Sequence, residues 1–525
     1  MGVTSYLASV FVNSVKNSAV YALVLRFLIY IQKEYRQSRF YNMILKFVQV
    51  ICREYEGSRL KKFIFRKGKI QSLYETSLVC AFICYCYNIL SKLAHGVFSI
   101  GEKLSKGGFV HSISLKISSY KGFTFVNVFG VFVLCMIVCP HEIWNNLYAV
   151  FAAFAFLAVY MIRSYKHLEN PSIKTDGFGL VLFVVFTGLS GLYAYNMADA
   201  VRIILFVYSA VIFSFIVMHS LNTEDKFKAM IKFISIAGFV TSVIGIIQRM
   251  YGVEVNPEYV DVVANASMPG RVFSTFANPN NFAELLVLIM PANAALIIDA
   301  PTKKEKGVWA LFLAVDFVAI GMSYSRSCWV ALVIAAVVML LIYDWKLLIP
   351  CVVIFIAVLP VLPESITDRM LTIGSMKDTS NASRFYIWEG AWRLVREYFV
   401  SGVGAGPLTF KEYYVPVANS LATTAPHSHM LYMELIIEFG IVAFVGFIGY
   451  ILFLTRKAFA ALGMVTASRR GFIGALLGSL FGMLFVFLVE YVWFYPRDMF
   501  MFWIVLGLLS VAVKKMASVT DEEQQ

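Results

Sequence analysis

The chain has 525 residues, of which 59% are hydrophobic and only 15% charged, and it carries a formal net charge of +13. Soluble globular domains carry about 25% charged residues, so the composition excludes an ordinary soluble enzyme and predicts an all-α polytopic membrane protein. The 46 Phe and 28 Tyr suit lipid-facing and interfacial surfaces.

The charge is uneven. Residues 1–121 hold 18 Lys and Arg against 5 Asp and Glu, while the rest of the chain balances at 27 of each, so the whole excess lies in an N-terminal arm. Lys16 and Arg26 stand inside the apolar pattern of the first thirty residues, so no cleavable signal peptide is expected. The arm interleaves its charges with aromatics and aliphatics, as in "SAVYALVLRFLIYIQKEYRQSRFYNMILKFVQVICREY". That pattern suits amphipathic helices on an anionic cytoplasmic leaflet better than a nucleic-acid surface. Membrane lipids, and no nucleic acid, are the expected partners of this cytoplasmic or interfacial segment. The eight cysteines imply no disulfide framework, and Cys80, Cys84 and Cys86 lack a second ligand pair at zinc spacing.

Within 71–100, "SLVCAFICYCYNIL" reads as a further short span or a re-entrant piece. Runs of about 17–25 apolar residues can cross a bilayer. About 12 transmembrane helices are expected after the arm, at 122–140, 142–163, 178–195, 201–219, 229–249, 281–299, 308–323, 327–343, 346–362, 430–455, 471–492 and 495–514. The basic segments 163–174, 302–307, 456–470 and 513–518 then share one side with the arm. That side is the cytoplasm, which holds both termini.

The resulting organisation is nine spans over 122–362 with an outer loop at 250–280, a large extracytoplasmic loop at 363–429, three last spans over 430–514 and a cytoplasmic tail at 515–525. The large loop contains "SRFYIWEGAWRLVREYF", where Phe385, Trp388, Trp392, Val395 and Phe399 stand near helical spacing. An amphipathic helix at the outer membrane boundary is expected there. It stops at "SGVGAGP", whose glycines and proline force a turn. The glycine run superficially resembles a nucleotide-binding loop, but no βαβ context precedes it and that reading is set aside.

Candidate site residues lie on the outer loops. Asn278-Pro279-Asn280 is a turn, and Asn280 or Asn281 can cap the following helix. Arg271 just before it makes electrostatic sense if an anion sits between the cation and the positive helix end. Otherwise it faces water or lipid phosphate. Arg326 lies in a short turn between two apolar helices, where a charge is functional or snorkels. Arg384 opens the loop helix and can grip a phosphate with two donors, or pair with Asp378 or Glu389. His427 and His429 sit where the large loop becomes a long apolar run. Histidine is the side chain best suited to proton transfer near neutral pH. A helix cap or a solvated role is the alternative. No third His or Cys lies on this face except His141, so no metal is expected.

Four stretches in order, "RVFSTFANPNNFAELLVLIMP", "YSRSCWVALVI", "SRFYIWEGAWRLVREYFVSGVGAGPLTF" and "HSHMLYMELIIEFGIVAFVGFIGY", resemble the O-antigen ligase / Wzy polymerase superfamily. The resemblance covers roughly 230–460, and the arm lies outside it. It implies a bacterial inner-membrane glycosyltransferase without metal, nucleotide or other cofactor. Such a protein joins a glycan from an undecaprenyl diphosphate donor to an acceptor hydroxyl on the outer face. His427, followed by Ser428 and Leu431, matches the family's loop histidine, as base or as the group that positions the acceptor. Arg271 and Arg384 match basic positions for the donor diphosphate, and Arg326 matches a Ser-Arg position of less defined role. His429 has no counterpart and, like Asn280, is secondary. The acceptor is a glycan, lipid or wall polymer for a ligase, or a second lipid-linked repeat for a polymerase. A lipid or solute transporter is the reading from another class. Asp316, Glu284 and Glu490 are its mid-span charges, but the conspicuous polar groups cluster in outer loops.

Overall fold

A backbone with no water around it must satisfy its own hydrogen bonds, which in a bilayer selects the helix. The computed structural model describes residues 69–105, 124–166, 177–254, 269–374 and 379–514, and every regular element among them is helical. The basic arm before residue 69, most of the 163–174 segment, residues 255–268 of the first outer loop, Asp378 and the tail lie outside the described residues. In chain order come α1 (Lys69–Glu75), α2 (Leu78–Ser105), α3 (Phe125–Val138), α4 (Asn146–Lys166), α5 (Phe178–Ser190), α6 (Met197–Ser220), α7 (Glu224–Tyr251), α8 (Pro279–Asp299), α9 (Lys303–Met322), α10 (Arg326–Asp344) and α11 (Leu348–Val358). Three shorter or loop helices follow: α12 (Glu364–Leu371), α13 (Thr379–Glu397) and α14 (Pro407–Tyr414). The chain then runs through α15 (Leu431–Ala461), α16 (Ala467–Val486) and α17 (Pro496–Ala512).

Among the described residues, eight helical stretches are long and apolar enough to cross a membrane, which makes this a multi-pass membrane protein. The sequence predicts twelve spans; the runs expected at 308–323 and 495–514 form α9 and α17, which are not among the eight, and the remaining differences are local. The piece within 71–100 is a full-length apolar helix, Leu78–Lys103. The runs at 327–343 and 346–362 join through a single 3-10 turn into one apolar stretch, Arg326–Val361. Phe125–Val138 and Phe178–Tyr193 are shorter apolar helices.

Helices α8, α16 and α17 form the centre, with nearly every residue of α17 buried. Small residues let their neighbours approach. Gly474, Gly478 and Gly482 recur every fourth residue along α16, and a Cβ added to Gly478 would come 2.4 Å from the Ala335 carbonyl of α10. Close backbone approach through small residues drives helix association where lipid offers no hydrophobic gain. At the other extreme, α11 buries no residue, and the exposed Val352, Val353, Ile354, Phe355 and Ile356 make it apolar around its circumference, as suits acyl chains.

The loop helix α13 forms as expected, but its buried face is Ile387, Ala391, Leu394 and Val395. Phe385, Trp392 and Phe399 are exposed, and the helical period alone does not say which of two apolar stripes packs inward. Outward aromatics suit a membrane–water boundary. The glycine run after α13 is a docking element. Gly402, Gly404 and Gly406 have φ of 72°, 104° and 108°, and Gly440 inside α15 has φ 78°. Val403 N–H donates to the Ile437 carbonyl at 2.6 Å, and Ile441 N–H donates to the Phe399 carbonyl at 2.9 Å. The loop is thereby stitched to a kink in α15.

Gly440→Ala is expected to destabilise the protein. Left-handed backbone costs a non-glycine residue about 1–3 kcal/mol, and the added Cβ would stand 2.2 Å from the Val400 carbonyl. Gly449→Ala on the same helix meets nothing within 4 Å and should leave stability unchanged or raised. Thermal melting of the two variants in detergent checks the difference.

Candidate functional site

The chain enters α8 through Asn278-Pro279-Asn280. Asn278, rather than Asn280 or Asn281, is the cap: its Oδ1 accepts the Asn280 amide N–H at 2.8 Å. Asn280 serves another purpose. Its Oδ1 accepts from Arg271 Nη2, and its Nδ2 donates to Glu490 Oε1 at 3.1 Å. Arg271 is buried and also donates from Nε to the Ser323 carbonyl at 2.7 Å.

Glu490 falls within the expected 471–492 span, yet α16 ends at Val486 and the chain turns. The reason lies in the "VFLVEYVWFYP" run, which stays apolar after the helix stops, so hydropathy carries no boundary signal. The turn is tied to the histidine loop, because Leu431 N–H at the start of α15 donates to the carbonyls of Phe487 and Glu490 at 3.0 and 3.2 Å. Arg384 on α13 forms an ion pair with Glu490 Oε1, and His429 Nδ1 stands 3.4 Å from Oε2. Arg384 therefore pairs with a residue 106 positions away rather than with Glu389. Burial pushes the Glu490 carboxyl up, but Arg384, His429 and His427 outweigh it and hold it down at about 2. Glu490 is an anion throughout the physiological range.

His427 is buried against His429, Phe494 and Tyr491, with ring centroids 4.2, 4.6 and 5.4 Å away. Burial, then the neighbouring His429, pushes its imidazole well below the usual histidine range, against the pull of Glu490. Glu434 and Glu438, which follow on α15, turn away from the cavity. Glu434 Oε2 accepts the Ser428 amide N–H at 2.7 Å, and Glu438 Oε2 accepts from the Tyr491 hydroxyl at 3.1 Å.

Arg326 is buried at the start of α10 and reaches the loop: Nη1 donates to the Thr372 carbonyl and hydroxyl at 2.8 and 2.9 Å, and Nη2 to Asn381 Oδ1 at 3.2 Å. A fourth arginine, the buried Arg369 on α12, joins the group; it sits in a polar stretch, "PESITDRML", that gives no periodic signal. Burial, and then repulsion from Arg369, make Arg271 a weaker base than an ordinary arginine, against the attraction of Glu490. It stays a cation at neutral pH.

Arg271, Asn280, Arg326, Arg384, His427 and His429 all border one cavity of about 780 Å³, joined there by Arg369 and Glu490. Val330, Phe485 and Val489 supply an apolar wall. His141 does not border it. Among the described residues no three or more His, Cys, Asp or Glu are grouped so as to hold a metal ion. Such a lining can offer forked donors to phosphate oxygens, imidazoles for proton handling and an apolar surface beside them.

Residues 309–448 match the protein-family model described as O-Antigen ligase, Wzy_C. The match takes in Arg326, Arg369, Arg384, His427 and His429 and leaves out Arg271, Asn280 and Glu490. No curated protein matches the chain. Over residues 309–448 the chain is therefore similar to the O-antigen ligase family, which supports a place in the O-antigen ligase / Wzy polymerase superfamily.

Proposed function

We propose that the protein transfers a glycan from a polyprenyl diphosphate donor, such as undecaprenyl diphosphate, to an acceptor hydroxyl at the outer face of a bacterial plasma membrane. The observation that carries this reading is the meeting of four arginines and two histidines in one cavity with an apolar wall. As the glycosidic C1–O bond breaks, negative charge grows on the diphosphate. Cations fixed in a poorly hydrated site stabilise that charge more in the transition state than in the ground state. Arg271 and Arg384 are the donor-holding pair in this reading, with Arg326 and Arg369 completing the positive rim. The lipid tail lies along the apolar wall and stays in the bilayer. The acceptor hydroxyl attacks from the histidine side, opposite the leaving group, so one displacement inverts the anomeric centre. A product with retained configuration would overturn that step.

Ligase and polymerase need the same donor pocket and differ in the acceptor. The test is therefore run with two acceptors, a lipid-core or wall-polymer fragment and a second lipid-linked repeat. Purified protein in nanodiscs receives a fluorescent lipid-diphosphate glycan with EDTA present throughout. Covalent transfer to one acceptor class is the expected result and identifies which. Movement of intact donor across liposomes with no new glycosidic bond would replace the enzyme by a transporter.

A further inference from the structure

The two histidines are held in opposite protonation patterns, and the difference assigns them different work. His429 N–H donates to His427 Nδ1 at 3.1 Å. A nitrogen that accepts an amide proton carries none of its own, so neutral His427 keeps its proton on Nε2. Its ring can then give a hydrogen bond to the cavity but cannot take up a proton there. His429 is arranged the other way. Its Nδ1 faces Glu490 Oε2 at 3.4 Å, and an ionised carboxylate only accepts. Nδ1 therefore bears the proton, and Nε2 on the far side of the ring keeps a lone pair. The backbone is held in an uncommon state to achieve this: His429 has φ 52°, the left-handed region, and that twist presents its own N–H to the His427 ring. Strain of this kind persists where the surroundings over-determine it, often at working sites.

We infer that His429, oriented by Glu490, takes the proton of the acceptor hydroxyl, and that His427 donates from Nε2–H to position the acceptor. The inference rests on the glycosyl-transfer reading and deepens it. In the step, the acceptor oxygen forms the new bond to C1 while the bond from C1 to the diphosphate oxygen breaks and its electron pair leaves with the lipid diphosphate. The acceptor proton passes to His429 Nε2, giving an imidazolium beside Glu490, and goes from there to solvent through the cavity. Glu490 is a positioning residue that fixes the tautomer and stabilises the cation, as a buried carboxylate does behind a catalytic imidazole. Burial that keeps His427 neutral fits its part as a donor. The charged and titratable groups that share the cavity with His429 include Glu490 and Tyr491 from the turn after α16, His427 from its own loop, Arg384 from α13, Glu284 from α8, and Arg326 and Arg369; Arg271 is linked to Glu490 through Asn280.

Two measurements test this. The first needs no activity: nitrogen-15 NMR of histidine-labelled protein, with the His427 and His429 signals assigned by His427→Gln and His429→Asn. Asparagine tolerates the left-handed backbone. His427 protonated on Nε2 and His429 on Nδ1 is the expected pattern, and the reverse overturns the inference. The second is the pH profile of transfer. His429→Asn should lower the rate about 10²–10⁴-fold, as loss of a general base does, and erase the fall of rate on the acid side. His427→Gln, which keeps a donor, should retain that acid limb. Glu490→Gln should lower the rate and loosen the Nδ1–H preference of His429 in the nitrogen-15 spectrum, because the imidazole loses the carboxylate that fixes its tautomer. An acid limb that survives in His429→Asn and vanishes in His427→Gln overturns the dyad and leaves the transferase reading standing. A folded parent that transfers nothing overturns both.

Discussion

Arg384→Ala is expected to lower kcat/KM for glycan transfer about 10²–10³-fold, the range seen when one preorganised charge-stabilising donor is removed. Arg384 should be more sensitive than the other arginines because it does two things. It borders the cavity, and it is the arginine that neutralises Glu490 directly. Without it, a buried carboxylate keeps only Asn280 and His429. Burial then pushes that carboxyl up, and the positive character of the cavity falls by a full charge. Breaking a buried pair by removing one partner leaves an uncompensated charge, so the melting temperature should drop as well. Arg384→Lys should recover the stability better than the rate, since an ammonium replaces the charge but not the two-pronged donor. Adding Glu490→Gln to Arg384→Ala should restore stability without restoring transfer. Kinetics and melting of these variants decide the matter. Parental rates in a stable Arg384→Ala would remove this residue from the donor site.

The residues that converge on the cavity were legible in the sequence for one reason: each interrupts a polar loop at the edge of an apolar run. A charge or imidazole there has few structural uses, and Arg271, Arg326, Arg384, His427 and His429 all border one cavity. Their partners were not legible. Glu490 reads as a charge inside a span because the residues after Val486 remain apolar although the helix has ended. Its pairing with Arg384 spans 106 positions, a distance no local pattern encodes. Arg369 sits in a short polar helix with nothing to distinguish it from a solvated one. The sequence places the cap of α8 two or three residues late, because three asparagines share the turn and only geometry selects Asn278. The same limit applies to the fold. Apolar runs locate helices well, but run length does not separate two spans from one long stretch at Arg326–Val361. Nor does a helical period say which of two stripes on α13 packs inward.

A polyprenyl diphosphate is expected to stabilise the folded protein in the absence of any acceptor. Binding to the native state alone adds about 2.7 kcal/mol of stability when the ligand is at a hundred times its Kd, so the melting temperature should climb with ligand concentration. The physical basis is a cavity that is short of negative charge. Four buried or half-buried guanidinium groups share it with Glu490, whose carboxylate is already engaged by Arg384. Burial and mutual repulsion with Arg369 hold Arg271 in a state that an added anion relieves. A diphosphate brings at least one more charge than a monophosphate on the same tail, so the monophosphate should shift the melt less at equal concentration. Arg271→Ala and Arg384→Ala should each lose most of the diphosphate effect. His427→Gln should keep it, because in this reading the imidazoles face the acceptor and not the leaving group. Equal stabilisation by the two lipids would mean that the arginines do not read the second phosphate. A full diphosphate effect in both arginine variants would place the donor elsewhere on the protein.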